Sequence, residues 1–324
     1  MPEKHIDPHV HCRDWRQFYK SNISDVMKLA RSQGVVAIFD MPNTDPLMIH
    51  NYHVEDRIKL AQLVGCDKGY YLYIGATKKP MQVMEAEEIA TKNPKVVGIK
   101  YFTTGTNLIS LTEEWEQKQM FNILSDCNYN GVVVAHCEKE SLFKKNTWNP
   151  RRPWTWNDAR PFIDEVEAAA DQIEIATDAG FEGNLHITHA SSSSTVDFVD
   201  QTRKKKKLNV TCGVTPHHLL YSTSDMRKMS EIDALMLKVN PPIRDETEML
   251  LLRESLKEGK IDWIETDHAP HSFDDKIKRY ASGIPSLNNY QFLLGKMREW
   301  GIPEQQISDM TYNNIKETFP KVVE

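Results

Sequence analysis

His5-Ile6-Asp7-Pro8-His9-Val10-His11-Cys12-Arg13 is the stretch on which the reading of this chain turns. His9 and His11 stand two positions apart, so on a β-strand their side chains leave the same face and two imidazoles can converge on one metal ion. Asp7 has the same parity. Taken alone, the pair reads more simply as an exposed or hydrogen-bonded histidine pair on a strand, so the rest of the chain has to decide.

Outward from this stretch, short apolar and β-branched runs alternate with longer periodic segments, the signature of repeated βα units around a parallel sheet. Strands are predicted near Lys4–His11, Val35–Met41, Tyr70–Gly75, Val96–Phe102, Gly131–His136, Asn184–His189, Leu208–Cys212 and Asp262–Asp267. Between them the pattern predicts helices over Ser24–Gln33, Asn51–Val64, Gln82–Lys92, Thr112–Asn128, Asp164–Ala179, Ser193–Lys206 and Glu246–Glu258, with Ser24 as a cap and Gly34, Gly180 and Gly259 as stops. Eight such strands point to an α/β fold, a closed (β/α)8 TIM barrel, more than to an open sheet, although a doubly wound sheet shares the pattern. No internal repeat, low-complexity tract or linker divides the chain, so residues 1–324 are expected to form a single barrel domain.

At 324 residues, 40% hydrophobic and 27% charged, the chain can bury a large core. Its net charge of −6 gives no electrostatic reason to expect nucleic acid, and any anionic ligand must be captured locally. The five cysteines are scattered without a C-x-x-C spacing, which suits free thiols in a reducing compartment rather than a disulfide framework. No apolar run has the length of a membrane span, and the polar start Met1-Pro2-Glu3-Lys4 is not that of a signal peptide, so the cytoplasm is expected. A homodimer is compatible with all of this. The basic run Arg203–Lys207 falls where a helix ends and reads as a solvated C-terminus favourable to the macrodipole. The segment Lys144–Pro161, rich in tryptophan and proline, is too irregular for regular structure and reads as a lid, an oligomer contact or an insertion packed by its own aromatics.

Parallel barrels carry their active sites at the C-terminal ends of the strands. There the predicted elements place His9 and His11, Lys100, His136, His189 and Asp267. Each has a structural alternative, because a buried histidine can be satisfied by a carbonyl and an aspartate can cap a helix. Their coincidence at one mouth favours metal ligation. Lys100 is the odd member, since an ammonium has no lone pair. A desolvated lysine can lose its proton and react with carbon dioxide, giving an N-carboxylate able to bridge two ions; the alternative is a lysine paired with Asp267 or reaching solvent.

With these residues in place the chain resembles the dihydroorotases, cyclic amidohydrolases of the amidohydrolase superfamily. The resemblance rests on Asp7-x-His9-x-His11-x-Arg13, Met41-Pro42-Asn43-Thr44, Gly98-Ile99-Lys100, Val134-Ala135-His136-Cys137-Glu138, Thr188-His189, Thr215-Pro216-His217-His218-Leu219, Val239-Asn240 through Arg244, and Thr266-Asp267-His268-Ala269-Pro270-His271, in that order. It implies a metal-dependent hydrolase barrel in which His9 and His11 bind one zinc ion and His136 and His189 the other. Carboxylated Lys100 and a hydroxide would bridge the two Zn2+ ions, and Asp267 would complete the first ion's shell and move the catalytic proton. It further implies that Arg13, with Asn43 and His271, grips the carboxylate of a small-molecule substrate, N-carbamoyl-L-aspartate or L-dihydroorotate, and that the backbone of Asn240 meets its ring. Arg13 also has a plainer reading, an ion pair with Asp14. His217 and His218 read as part of a structural turn and are assigned no role.

The chain departs from that family's pattern in places. Long members add a β-sandwich from residues flanking the barrel, and here the histidine pair begins at position 9, so no appended sandwich is expected. Cys12-Arg13-Asp14-Trp15 differs from the form common in long members, which leaves the shape of the first loop open. The loop Thr103–Asn107 resembles the threonine-bearing loop that closes on substrate in some members. The rival expectations are a hydantoinase or allantoinase, which has no need of Arg13 and Asn43 together, and a weakly active scaffold subunit for a transcarbamoylase, which usually loses ligands.

Overall fold

The computed structural model describes residues 4–205 and 207–323. Buried, β-branched and aromatic runs supply β1 His5–Val10, β2 Val35–Asp40, β3 Tyr70–Gly75, β4 Val96–Phe102, β5 Val132–His136, β6 Asn184–Ile187, β7 Asn209–Val214 and β8 Trp263–Ile264. The helices that follow them are α1 Ile23–Ser32, α2 Asn51–Leu63, α3 Pro80–Lys92, α4 Glu114–Asp126, α5 Phe162–Asp178, α6 Ser193–Lys204, α7 Glu246–Lys257 and α8 Tyr290–Glu299. Every strand runs parallel to the next, in the order β1 to β8. A doubly wound sheet would reverse its order midway, so the open-sheet alternative is excluded. The fold is a (β/α)8 barrel.

The barrel closes without a full ladder at its seam. His11 N–H donates to His268 O at 2.8 Å and Val10 bridges His268, while the buried carboxylate of Asp7 accepts from the backbone N–H of Thr266 at 3.0 Å and from its hydroxyl. The side chain of Asp7 therefore takes a bond that a longer β8 would give to backbone. That is why β8 has two residues where the run Asp262–Asp267 predicted six. β6 likewise stops at Ile187 rather than His189, because the His189 N–H goes to the carboxylate of Glu265. His189 (φ 42°) and Asp267 (φ 46°) both leave their strands in the left-handed region.

Helix starts move for similarly local reasons. α1 is capped by Asn22, whose side chain accepts from Asp25 N–H at 2.9 Å, not by Ser24. α4 opens on a capping box of Glu113 and Glu116, two residues past Thr112. α6 ends at Lys204; residue 206, its expected last position, lies outside the described residues. Arg203 in the basic run donates to Asp262 at 2.6 Å and Lys204 pairs with Asp200, in keeping with a helix end.

Two layers of core position the site. Outside the strands, Ile38, Leu72, Ile99, Val133, Leu185 and Val210 pack on Val26, Val83, Phe121, Val196 and Leu252 of the helices. Inside, Ile6, Phe39, Tyr71, Tyr73, Val134 and Trp263 meet Ile315, Phe319 and Val322, which plug the N-terminal end of the barrel; the Phe39 and Phe319 rings are 5.0 Å apart. A register slip near the start of β4 helps to aim side chains: Leu72 of β3 pairs with Val96 but Tyr73 with Gly98, so one residue of β4 is left over. Val97 and Lys100, an odd number of positions apart, both face inward as a result. No helix among the described residues is long and apolar enough to cross a membrane.

Candidate active site

The C-terminal rim holds a cavity of about 640 Å³. His9, His11, Asp267, His136 and His189 line it, as do Arg13, Asn43, Asn240 and His271. Nine of the ten residues singled out in the sequence thus reach one space, and Lys100 lies buried among His136, His189 and Asp267.

Asp267 Oδ1 lies 3.2 Å from His9 Nε2 and 2.9 Å from His11 Nε2, and potential ligand atoms of these three residues fall within 4.8 Å of one another. Burial alone would suppress the charge on His9, but Asp267 and Glu265 raise its pKa; burial and Arg13 bring His11 down to about 4. A second pair stands beside this cluster. His136 Nδ1 faces His189 Nε2 at 2.9 Å, and the His189 ring centroid is 5.3 Å from that of His9. Lys100 Nζ is fully buried, has no hydrogen-bond acceptor among the described residues and lies 4.8 Å from the Phe102 ring. Without exposed surface or a bonded partner it neither pairs with Asp267 nor reaches solvent, and burial lowers its pKa to about 7. Imidazole nitrogens, a carboxylate and a buried amine without a bonded partner among the described residues, gathered at one cavity, are a donor set that fits metal ions.

Arg13 does not reach the cavity by strand parity. β1 has ended at Val10, and Arg13 stands at φ 68° in a turn that swings its side chain over the rim. Its Nε donates to Pro270 O at 3.2 Å and its Nη2 lies 3.2 Å from His271 Nε2. Asp14, the ion-pair partner of the plainer reading, belongs instead to Arg57, at 3.1 Å. Arg13 is 6% exposed and has no carboxylate within ion-pair distance among the described residues. Burial depresses its pKa to about 10, and the His271 pKa falls to about 3 through burial and the Arg13 charge. Gly283 allows this corner to close: a Cβ there would sit 2.6 Å from Ala269 O and 2.9 Å from the His271 ring. Asn43 adds a buried, unpartnered Oδ1. Asn240 Oδ1 accepts from the Trp156 indole at 2.9 Å.

No protein-family model matches the chain. A dihydroorotase from Aeropyrum pernix is 33% identical over 284 residues, which cover 87% of this chain and 60% of that protein. One from Methanosphaera stadtmanae is 27% identical over 325 residues, covering 97% and 70%. By sequence the chain is thus similar to dihydroorotases. An L-hydantoinase from Arthrobacter aurescens superposes with a TM-score of 0.86 at 20% identity, over 98% of this chain and 71% of that one; a dihydroorotase from Campylobacter jejuni gives 0.72 at 16%, over 98% and 83%. At such identities these structures speak to the fold alone. The chain spans between about three-fifths and seven-tenths of the length of the two relatives named.

Sequence reading missed the residues that hold the ligand candidates. His9 Nδ1 lies 2.7 Å from Thr188 Oγ1, and Thr188 donates to Glu265 Oε1 at 2.8 Å. The single hydroxyl proton is thus spent on Glu265, Thr188 accepts from His9 Nδ1–H, and the Nε2 lone pair is left toward the cavity. Glu265 carries no sequence signal beyond its place two residues before Asp267. Glu138 carries one, two residues past His136 within a quoted motif, yet its role depends on Arg160. The loop after β4 is held by Glu140, which accepts from Thr104 Oγ1 at 2.9 Å and from Gly105 N–H at 3.1 Å.

Proposed function

We propose that the chain is a dihydroorotase, interconverting N-carbamoyl-L-aspartate and L-dihydroorotate as a step of pyrimidine biosynthesis. The observation that carries this reading is Arg13: a buried guanidinium without a carboxylate partner, beside His271 and Asn43 on the wall of the cavity that holds the ligand candidates. A buried cation of this kind calls for an anion, and the free carboxylate of dihydroorotate supplies one. The same corner argues against hydantoin or allantoin, whose rings have no carboxylate.

In this reading His9, His11 and Asp267 would hold one zinc ion, His136 and His189 a second, and Lys100, carboxylated on its unprotonated Nζ, both. When bound, the ions lower the pKa of the attacking water and polarise the ring amide carbonyl. Arg13 donates to the substrate carboxylate, with His271 and Asn43 beside it, and fixes the ring in the cavity. Asp267 takes a proton from the attacking water and passes it to the departing ring nitrogen, first as base and then as acid. The backbone of Asn240 borders the ring. Free cysteines, four of them buried, suit a reducing compartment, and we place the protein in the cytoplasm.

Assay of dihydroorotate, hydantoin and allantoin side by side tests the assignment. Turnover of dihydroorotate at least about 100-fold above the others is expected, given about 1.5–3 kcal/mol for each charged hydrogen bond to the carboxylate. Preference for hydantoin would overturn it.

A further inference from the structure

The irregular segment between β5 and α5 ends on Arg160, and this residue reaches back to the ligand candidates. Lys144 N–H donates to Ala159 O at 2.9 Å, drawing the ends of the segment together, and the Trp156 indole pins its middle to Val239 O and Asn240 Oδ1. The Arg160 guanidinium lies 4.2 Å from the Phe143 ring and 5.1 Å from that of Trp156, and its carbonyl accepts from Arg244 Nη1. So held, Arg160 donates from Nε to Glu138 Oε1 at 2.7 Å and from Nη2 to Oε2 at 2.6 Å. Glu138 is wholly buried, and its Oε2 lies 2.7 Å from His136 Nε2.

We propose that Arg160 and Glu138 are positioning residues that fix the tautomer and aim of His136 for a metal ion shared with His189. An ionised carboxylate only accepts hydrogen bonds, so a His136 bonded to Glu138 carries its proton on Nε2. The lone pair is then on Nδ1, the atom that faces His189 Nε2 at 2.9 Å. Arg160 makes this arrangement tenable, because a carboxylate with no exposed surface needs a compensating cation, and the two-pronged contact also holds its plane. The insertion thus serves the metal pair on one side of the cavity and Asn240 on the other. This inference rests on the reading that His136 and His189 hold a metal ion.

Equilibrium dialysis of the full chain against zinc, with metal analysis, tests it in wild type, Glu138→Gln, Arg160→Lys and the double variant Glu138→Gln/Arg160→Gln, which leaves no uncompensated buried charge. Thermal melts of the metal-free proteins check that each folds. In Glu138→Gln the amide cannot accept from His136 and from both Arg160 donors at once. The second zinc is therefore expected to bind about 10- to 100-fold more weakly in Glu138→Gln and in the double variant, and less severely so in Arg160→Lys, with the first zinc retained. Imidazole ¹⁵N shifts of the metal-free protein, with His136→Ala to assign the signal, should show the Nε2–H form in wild type and a rise of the Nδ1–H form in Glu138→Gln. Two zinc ions bound to wild type, with unchanged affinities and an unchanged tautomer in the folded variants, would overturn the proposal alone. A wild type that binds at most one zinc would remove the two-metal reading and the proposal with it.

Discussion

Lys100 and Arg13 are both cations by composition, and burial gives them opposite uses. Lys100 has neither acceptor nor counter-ion within bonding reach, so its proton is weakly held and its amine is free for chemistry. We expect Lys100→Ala to lose bound metal and more than about 100-fold in turnover together, with partial restoration by a short carboxylic acid, which would stand in for the proposed N-carboxylate. Retention of metal with near-normal turnover would exclude a carboxylated lysine. Arg13 keeps its charge, since a guanidinium with a pKa near 10 stays protonated at neutral pH. Arg13→Met should leave the metal content unchanged and reduce kcat/KM roughly 10- to 100-fold, the loss of one charged contact to the substrate. Metal analysis separates the outcomes, because zinc lost from Arg13→Met would put that side chain among the ligands' supports.

At the scale of elements, the loop after β1 is braced by α2. Arg57 is fully buried in that helix and donates to Asp40 of β2 at 2.7 and 3.0 Å, to Asp14 at 3.1 Å and to the Tyr70 hydroxyl of β3. One guanidinium therefore ties two strands to the turn that carries Arg13. Removing it strands Asp40 as a buried charge, so Arg57→Met is expected to cost about 3–5 kcal/mol in urea unfolding. A loss below 1 kcal/mol would mean that water or a rearranged Asp14 takes over. The segment before α5 makes the same point from its composition. Its tryptophans and prolines signalled irregular structure, but its purpose lies in Trp156 and Arg160, whose partners Asn240 and Glu138 are remote in the chain or meaningless without it.

For the whole molecule, stability carries a record of charges buried near the rim. Lys276 donates to Lys238 O at 2.8 Å and Gly283 O at 2.9 Å, and burial lowers its pKa from 10.5 to about 7. Between these two values the unfolded chain binds a proton that the folded chain has lost, so stability rises with pH. The slope from this one group is about 1.4 kcal/mol per pH unit. Lys276→Met should remove that part of the rise between pH 7.5 and 9 in denaturant titrations, while Lys238, lowered by burial and then by the Lys276 and Arg160 charges, keeps only the part that burial and Arg160 set. An unchanged slope would show that the ammonium stays charged between its two carbonyls.

The amino-acid order by itself determined an α/β class of fold, because β-branched runs alternate with helical periods, and it determined which side chains stand near strand ends; that the sheet closes into a barrel was decided by the strand order of the structure. It also singled out His9, His11, Lys100, His136, His189 and Asp267 as candidates by their coincidence at strand ends, whereas Arg13, Asn43, Asn240 and His271 came only with the family resemblance. Tertiary structure alone decided how they meet. The left-handed turn at His189, the early end of β8 at Asp7 and the support from Glu265 all depend on buried carboxylates capturing hydrogen donors far away in the chain. Local propensity does not see such bonds. They form only after the barrel has removed the competing water.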